Sequence, residues 1–337
     1  MRRLLYCGEW IESHALHIHL LAAPDFLSFD SAIAMAERYP DEVRRGLKLQ
    51  HLGNRIIALL GGRAVHPVGV CVGGFYQAPT VADANLLLAD LQAGLADAEA
   101  LVTWTLQLEL PDDEQAFTCV ALRHADEYPM NEGRIVSSSG LDIAVNDYPQ
   151  HFKEFQAPHS TALYSHLNDQ PYLVGPLARL NLNHDRLPTH IVELLNDAGL
   201  RLPSRNMFHS IVARAVEIYY AMLEAIRLLE SYEYSGQPAL AYTPHAGSGA
   251  GCTEAPRGIL WHRYEMDQEG SIRSATIIPP TSQNQARIEQ DLAASLQKIG
   301  LDQDADILRL HGEKVIRNYD PCISCATHFL RLKLTRE

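Results

Sequence analysis

The stretch Arg317-Asn-Tyr-Asp320-Pro321-Cys322-Ile-Ser-Cys325-Ala-Thr-His328 brings two thiols, a carboxylate and an imidazole together near the end of the chain. Two thiolates in Cys-x-x-Cys spacing can converge on one ion, and sulfur ligands favour zinc, copper(I), nickel or iron over hard cations. A disulfide between the two cysteines is the simpler alternative. A zinc site that adds His328 and a distant fourth ligand is another. The stretch predicts a metal site and leaves the metal open.

The composition is that of an ordinary globular protein. The chain has 337 residues, 47% of them hydrophobic and 20% charged, which allows a large core and gives no sign of disorder. Its formal net charge of -13 argues against a nucleic-acid backbone or an anionic membrane as partner, because both attract a basic surface. No apolar run is long enough to span a bilayer.

The six cysteines are few for this length, and only Cys322 and Cys325 form a close pair. This usage is typical of a reducing compartment, where thiols serve as ligands or core residues, and it predicts a cytoplasmic protein. The single cysteines are read as small core residues. They are Cys7, Cys71, Cys119 and Cys252.

The hydrophobic pattern predicts a mainly α fold with small β hairpins, in one domain over residues 1–337. Glycine-rich residues 246–251 lack a phosphate-binding pattern and are interpreted as a flexible approach to Glu254. Short strands are expected at 117–122 and 134–138, with a hairpin formed by 259–265 and 271–278. Helices are expected at 4–22, 81–105 behind a Thr80 cap, 205–231 as an amphipathic helix, 285–297 and 303–316.

Further motifs accompany the cysteine stretch in order along the chain. They are Gly8-Glu-Trp-Ile-Glu-Ser-His14-Ala-Leu-His17, His66-Pro67 with Gly73-Gly74, Glu254-Ala-Pro256-Arg257-Gly258 and Ile277-Ile278-Pro279-Pro280-Thr281-Ser282-Gln283-Asn284. Together with Asp-Pro-Cys-x-x-Cys-x-x-His they resemble the large subunit of nickel–iron hydrogenases. The likeness runs along nearly the whole chain and is nearest to the cytoplasmic, multisubunit branch that couples to NAD(P). It implies that family's helical core.

The resemblance also implies cofactors and their ligands. Cys322 would be a terminal nickel ligand, and Cys325 would bridge nickel to an iron that carries CN and CO. The Cys322 thiolate would take the proton when H2 is cleaved heterolytically. His328 and the carbonyl of Ile277 would hold a second metal, Mg or Fe.

Residues around this centre receive roles from the same resemblance. Arg257 would face the open nickel–iron position, with Asp320 orienting its guanidinium, and Pro256 would line the cyanide pocket. Thr281 or Ser282 would donate a hydrogen bond to a cyanide nitrogen. Residue type alone leaves three alternatives open. They are a loop arginine at 257 paired with Glu254, hydroxyls that serve an ordinary turn, and a turn initiated by Asp320 before Pro321. His14, His17 and His66 are read as buried, hydrogen-bonded histidines rather than ligands.

One departure from the family is evident. The family holds nickel with four cysteines, and this sequence has only the second pair, so an amino-terminally truncated or split subunit that exposes apolar surface is expected. Residues 329–337 are read either as an extension removed by a maturation endopeptidase or as an edge strand.

The expected function is the catalytic large subunit of a soluble nickel–iron hydrogenase. Electrons would pass to an iron–sulfur small subunit and on to NAD(P)-linked subunits in a hetero-oligomer, because this chain has too few cysteines for clusters and no dinucleotide motif. The alternatives are a non-catalytic remnant, a subunit like that of respiratory complex I, and a structural zinc protein.

Overall fold

The structure, a computed structural model, describes residues 1–160, 162–234 and 236–321. Cys322, Cys325, His328 and the tail at 329–337 therefore lie outside the described residues. The prediction of a mainly α fold with small antiparallel hairpins is confirmed. The helices are α1 (Arg2–Leu16), α2 (Ala23–Phe26), α3 (Ala32–Arg38), α4 (Pro40–Gly61), α5 (Val81–Leu106), α6 (Tyr148–His151), α7 (Pro176–Asn183), α8 (Thr189–Asp197), α9 (Ser210–Glu230), α10 (Pro280–Ile299) and α11 (Ala305–Asn318).

The core is a bundle in which α1 packs against α4 and α9, and α9 packs against α5. The α1–α4 contact is close because α4 has a glycine where the two backbones meet. A Cβ atom on Gly53 would lie only 2.5 Å from the backbone nitrogen of Glu12. Helix α1 also buries Trp10 and Ile11 completely. The helix is thereby fixed over its length, including the face that carries His14.

The helix expected at 4–22 changes its hydrogen bonding before it ends. Helix α1 ends at Leu16 and continues as a π-helix over His17–Ala22. Such wide turns are uncommon and are frequent at functional sites. His17, the first residue of this turn, binds the backbone of the last turn of α11. The π-helix near the amino terminus is therefore hydrogen-bonded to α11 near the other end of the described chain.

Helix α9 differs from the expected amphipathic helix. It begins at Ser210, after a 3₁₀ turn at Met207–His209, and is buried on almost every side. Its buried residues include Arg214 and Glu217, although an amphipathic helix normally carries its charged residues on a solvent-facing side. The reason is that charged partners from other elements meet both side chains inside the protein.

The strands form four small antiparallel sheets. The hairpin expected at 259–278 is confirmed as β9 and β10. The interpretation of residues 246–251 as a flexible segment is wrong: they begin β8, whose backbone pairs with β9 from Gly247 to Ala255. The strands are β1 (Val70–Cys71), β2 (Gly74–Phe75), β3 (Val120–Arg123), β4 (Arg134–Ser137), β5 (Asp142–Ile143), β6 (Phe152–Gln156), β7 (Leu163–Leu167), β8 (Gly247–Ala255), β9 (Gly258–Met266) and β10 (Ile272–Ile278).

Other expectations hold in part. Helix α5 matches its predicted span, and the Thr80 hydroxyl accepts a hydrogen bond from the Asp83 backbone nitrogen, as a capping residue does. Three of the four single cysteines are buried, whereas Cys71 on β1 is only partly covered. No described helix is both long and apolar enough to cross a membrane.

Candidate metal centre

Arg257 lies at the tip of the β8–β9 hairpin. Ala255 and Gly258 are the last paired residues, so Pro256 and Arg257 form a two-residue turn. A tight turn of this length fixes the backbone direction of both central residues. Pro256 is buried, while about a third of the Arg257 side chain remains exposed. The β8–β9 hairpin therefore holds the Arg257 side chain on a backbone of fixed direction.

The turn is packed tightly against the segment that precedes α7. Gly258 has φ +139°, and a Cβ atom there would lie 2.5 Å from Cγ2 of Val174. On the other side, a Cβ atom on Gly175 would lie 2.7 Å from the Arg257 carbonyl oxygen. Both positions require glycine because of backbone conformation and space.

We expect Gly258→Ala to destabilise the protein by about 2 kcal/mol, because it combines strained backbone with a clash against Val174. Gly140→Ala is the matched control: Gly140 also has positive φ, at +97°, but a Cβ atom there would meet no atom within 4 Å. Thermal unfolding of both variants measures the difference. Equal destabilisation of the two would show that the close packing of the hairpin is unimportant.

Asp320 meets Arg257 from the opposite side of the site. It follows α11, has the uncommon φ of +49° for a residue with a side chain, and is 2% exposed. Its Oδ2 lies 3.0 Å from Nε of Arg257, and Nη2 of Arg257 donates to Oδ1 at 3.3 Å. The carboxylate thus restrains the guanidinium, two residues before Cys322.

Glu254 does not pair with Arg257, so that alternative for the arginine is wrong. The Glu254 carboxylate accepts hydrogen bonds from Nη1 of Arg179 at 2.8 Å and from the Leu122 backbone nitrogen at 2.7 Å. Burial raises the pKa of Glu254 to about 7, although the ion pair with Arg179 opposes this. Glu254 therefore holds β8 in place and does not bind the guanidinium of Arg257.

Arg179 supports the hairpin turn from inside, a role that the sequence did not indicate. Its guanidinium donates to the carbonyl oxygens of Ala255 and Pro256, each at 2.8 Å. It also forms two 2.7 Å hydrogen bonds with Glu217 and lies 4.5 Å from the ring centroid of Trp10. Both carbonyls immediately before Arg257 are therefore held by a fully buried cation.

Arg214 is the second arginine beside Asp320, and the sequence did not single it out either. Its Nη1 lies 3.6 Å from the Asp320 carboxylate and 3.1 Å from Nδ1 of His14. Its Nη2 is 3.5 Å from the Asn318 carbonyl oxygen. Burial lowers the pKa of Arg214 to about 10, which leaves it charged at neutral pH. The available sequence signal was an Arg and a Glu three residues apart in the apolar first half of α9.

His14 and His17 are both buried and hydrogen-bonded, as residue type predicted. Arg214 can only donate, so Nδ1 of His14 accepts and Nε2–H donates to Glu217 at 2.9 Å. Nε2 of His17 donates to the Arg317 carbonyl at 2.7 Å. Burial lowers the pKa of His14 to about 4 and that of His17 to about 3. The prediction that His66 is buried is wrong, because it lies exposed in the loop between α4 and β1.

Acidification is expected to destabilise the protein because three buried histidines stay neutral when folded. Burial also lowers the pKa of His19 to about 4, so below pH 6.5 the unfolded chain binds protons that the folded chain does not. The pKa of Glu254 is raised to about 7, so between pH 7 and pH 4.5 the folded chain binds one proton there that the unfolded chain does not. This offsets one of the three histidine protons. From pH 6.5 to 4.5 the stability should fall by at most roughly 3 kcal/mol per pH unit.

Denaturant unfolding across this pH range tests the expectation. His19→Leu should remove one proton from the slope of stability against pH, because the pKa of His19 is lowered by burial in the folded chain. A stability that is flat from pH 6.5 to 4.5 would contradict the neutral state of the buried histidines.

The remaining predicted residues surround the same hairpin. Thr281 and Ser282 lie in the first turn of α10, where the Ser282 hydroxyl donates to the Pro279 carbonyl at 3.0 Å. Ile277 is on β10 with half of its side chain exposed. Sequence reasoning missed Asn284, whose amide binds both the nitrogen and the oxygen of Val174.

The described residues are compatible with thiolate ligands at the predicted positions Cys322 and Cys325. Two guanidinium groups, those of Arg257 and Arg214, lie against the carboxylate of Asp320, two residues before Cys322. Thiolate ligands are anionic, so these two cations favour them, while Glu9 and Glu12 offset part of the charge of Arg257. Within residues 1–160, 162–234 and 236–321, no group of three or more His, Cys, Asp and Glu side chains could hold a metal ion.

Comparison with known proteins agrees with this site. The model of a family described as nickel-dependent hydrogenase matches residues 143–328. Sulfhydrogenase 1 subunit alpha of Pyrococcus furiosus is 34% identical over 98% of this chain and 78% of its own length. The NAD-reducing hydrogenase HoxS subunit beta of Cupriavidus necator is 26% identical over 98% of this chain and 76% of its own length.

Solved structures give the same result. A crystal structure of an NAD+-reducing nickel–iron hydrogenase in the H2-reduced state superposes with a TM-score of 0.85 at 26% identity, covering 97% of this chain and 79% of the other. A nickel–iron–selenium hydrogenase from Desulfovibrio vulgaris Hildenborough has the same fold, with a TM-score of 0.74 at 20% identity over 97% of this chain and 81% of the other. The fold is thus that of a hydrogenase large subunit. The chain belongs to the nickel-dependent hydrogenase family.

Proposed function

We propose that this chain is the catalytic large subunit of a nickel–iron hydrogenase that cleaves or forms H2 reversibly. The observation that carries the proposal is the pairing of Arg257 with Asp320, two residues before Cys322, within a chain of this family. Cys322 and Cys325 would hold the metals. The bound centre would supply the heterolytic cleavage of H2.

The protein groups have separate parts in this proposal. Sγ of Cys322 would hold the proton released from H2, and Arg257 would provide a permanent positive charge that faces the reacting atoms. Asp320 would keep this guanidinium from turning away. Pro256, Thr281 and Ser282 would surround the CN and CO ligands of the iron, and His328 with the Ile277 carbonyl would hold a second ion, Mg or Fe.

The partners follow from the relatives and from the surface of the chain. We infer an iron–sulfur small subunit and NAD(P)-linked electron-transfer subunits, since relatives are subunits of larger hydrogenases and one of them is NAD-reducing. Apolar side chains are exposed on the β1–β2 hairpin and on the segment that pairs with it. Such a surface suits contact with a partner subunit. These residues are Val68, Val70, Val72, Tyr76 and Leu240. We place the protein in the cytoplasm, on the basis of its scattered single cysteines. We also infer one domain, because α1 packs against both α4 and α9.

Hydrogen-dependent reduction of an artificial electron-accepting dye tests the proposal. The protein should be expressed with its native neighbours and maturation proteins and purified anaerobically as a complex. Dye reduction under H2 but not under nitrogen is the expected result, and addition of NAD+ or NADP+ to the same complex then identifies the nicotinamide acceptor. A metal-loaded complex that reduces dye at the same rate under both gases would contradict the proposal.

A further inference from the structure

The charged residues around Arg257 are connected in a closed ring of contacts inside the protein. The ring runs from Arg257 to Asp320, Arg214, His14, Glu217 and Arg179, and returns through the Pro256 carbonyl to Arg257. Its contact distances, in that order, are 3.0, 3.6, 3.1, 2.9, 2.7 and 2.8 Å.

Each member of the ring comes from a different part of the fold, apart from Arg214 and Glu217. His14 lies on α1, Arg179 on α7, and Arg214 with Glu217 on α9, one turn apart. The β8–β9 turn and Asp320, two residues beyond the end of α11, complete it. Elements distant in sequence are therefore fixed to one another at the point where Arg257 meets Asp320.

Burial makes this ring stiff. The side chains of His14, Glu217 and Arg179 have no exposed surface, and those of Arg214 and Asp320 are 1% exposed. Burial raises the pKa of Glu217, but the charge and hydrogen bonds of Arg179 together with the hydrogen bond from His14 lower it to about 2, so Glu217 stays ionised. A buried charge that lost its partner would carry a large desolvation cost, so the members hold each other in place. Only Arg257 reaches the exposed side.

We propose that this ring is a positioning unit that fixes the Arg257 guanidinium relative to Asp320 and to the chain that enters Cys322. The inference rests on the proposed function, because it assigns Arg257 to the reacting centre. His14 is the link that tests it best, since it touches neither Arg257 nor Asp320 and is neutral. Replacing it changes no buried charge, yet opens the ring between Arg214 and Glu217.

The experiment compares His14→Leu with His14→Gln in the assembled complex. Leucine removes both contacts, whereas the glutamine amide can accept from Arg214 and donate to Glu217. His19→Leu is the matched control, because His19 is an equally buried, neutral histidine that binds the Ala15 carbonyl and stacks on Trp104. The readouts are the H2-oxidation rate per nickel and hydrogen–deuterium exchange in the peptide covering residues 313–321.

His14→Leu should lower the rate per nickel by about tenfold or more, since small displacements at a reacting centre are costly. It should also speed exchange at residues 313–321. His14→Gln should restore most of both properties, and His19→Leu should leave them unchanged. Wild-type rate and wild-type exchange in His14→Leu would overturn the inference.

Two further outcomes remain interpretable. A wild-type complex without nickel or activity would refute the proposed function, while the exchange comparison would still decide whether the ring positions residues 313–321. If His14→Leu does not assemble, Arg214→Lys replaces it, because one ammonium cannot reach His14, Asn318 and Asp320 together. Unchanged exchange in that variant would likewise overturn the inference.

Discussion

Cys322→Ala is expected to abolish hydrogen-dependent dye reduction and to reduce bound nickel to less than about a tenth of the wild-type content. The physical reason is that the thiolate proposed at this position would both hold the metal and receive the proton, and an alanine methyl group would do neither. Nickel per chain, measured by inductively coupled plasma mass spectrometry on the purified complex, is the direct readout.

Cys252→Ala is the matched control for this experiment. Cys252 is a buried single cysteine on β8, and burial raises the pKa of its thiol well above the usual value, as suits a core residue. Its replacement should cost some stability and leave nickel and activity per nickel intact. If both variants lost nickel equally, the loss would reflect general destabilisation, and the role of Cys322 as a ligand would be refuted.

Arg257→Lys should lower the turnover number by about 100-fold without loss of nickel. Lysine keeps the charge, but an ammonium cannot contact both oxygens of Asp320 through Nε and Nη2 as the guanidinium does. The preorganised positive charge would then be displaced from the reacting centre, where such groups contribute strongly. Turnover and KM for H2 in the complex separate this loss from a binding defect.

Arg273→Lys provides the comparison for Arg257→Lys. Arg273 lies on β10, pairs with Asp267 at 2.7 Å, and leaves 71% of its side chain exposed. An exposed pair of this kind contributes little to stability, so its variant should behave as wild type. Wild-type turnover in Arg257→Lys would show that the guanidinium shape has no part in the reaction.

The sequence predicted the elements that have strong local signals. Helix α5 was expected from its Leu and Ala content and from the Thr80 cap, and the β9–β10 hairpin from its turn at residues 267–270. Helix α4 was not predicted, because charged residues interrupt the sequence pattern of the apolar face that packs on α1. Strand β8 was missed because glycines carry no strand signal, and its pairing with β9 is a tertiary effect.

The candidate site was predictable only where a motif marked it. Arg257 and Asp320 were identified through their motifs, and the structure brings them together. Arg179, Arg214 and Glu217 could not be identified, because nothing local distinguishes a buried arginine or glutamate from a surface one. Their partners come from α1, from the β8–β9 turn and from Asp320 beyond α11, all of which are distant in the sequence. Buried charge networks of this kind become visible only in three dimensions.

The most direct test of the central claim is metal analysis of the wild-type complex, purified anaerobically after expression with its native neighbours and maturation proteins. If the chain holds a nickel–iron centre, nickel and iron should both copurify with it, and nickel should be lost in Cys322→Ala. Zinc in place of nickel, at the same content in wild type and in Cys322→Ala, would contradict the assignment of the centre to Cys322 and Cys325.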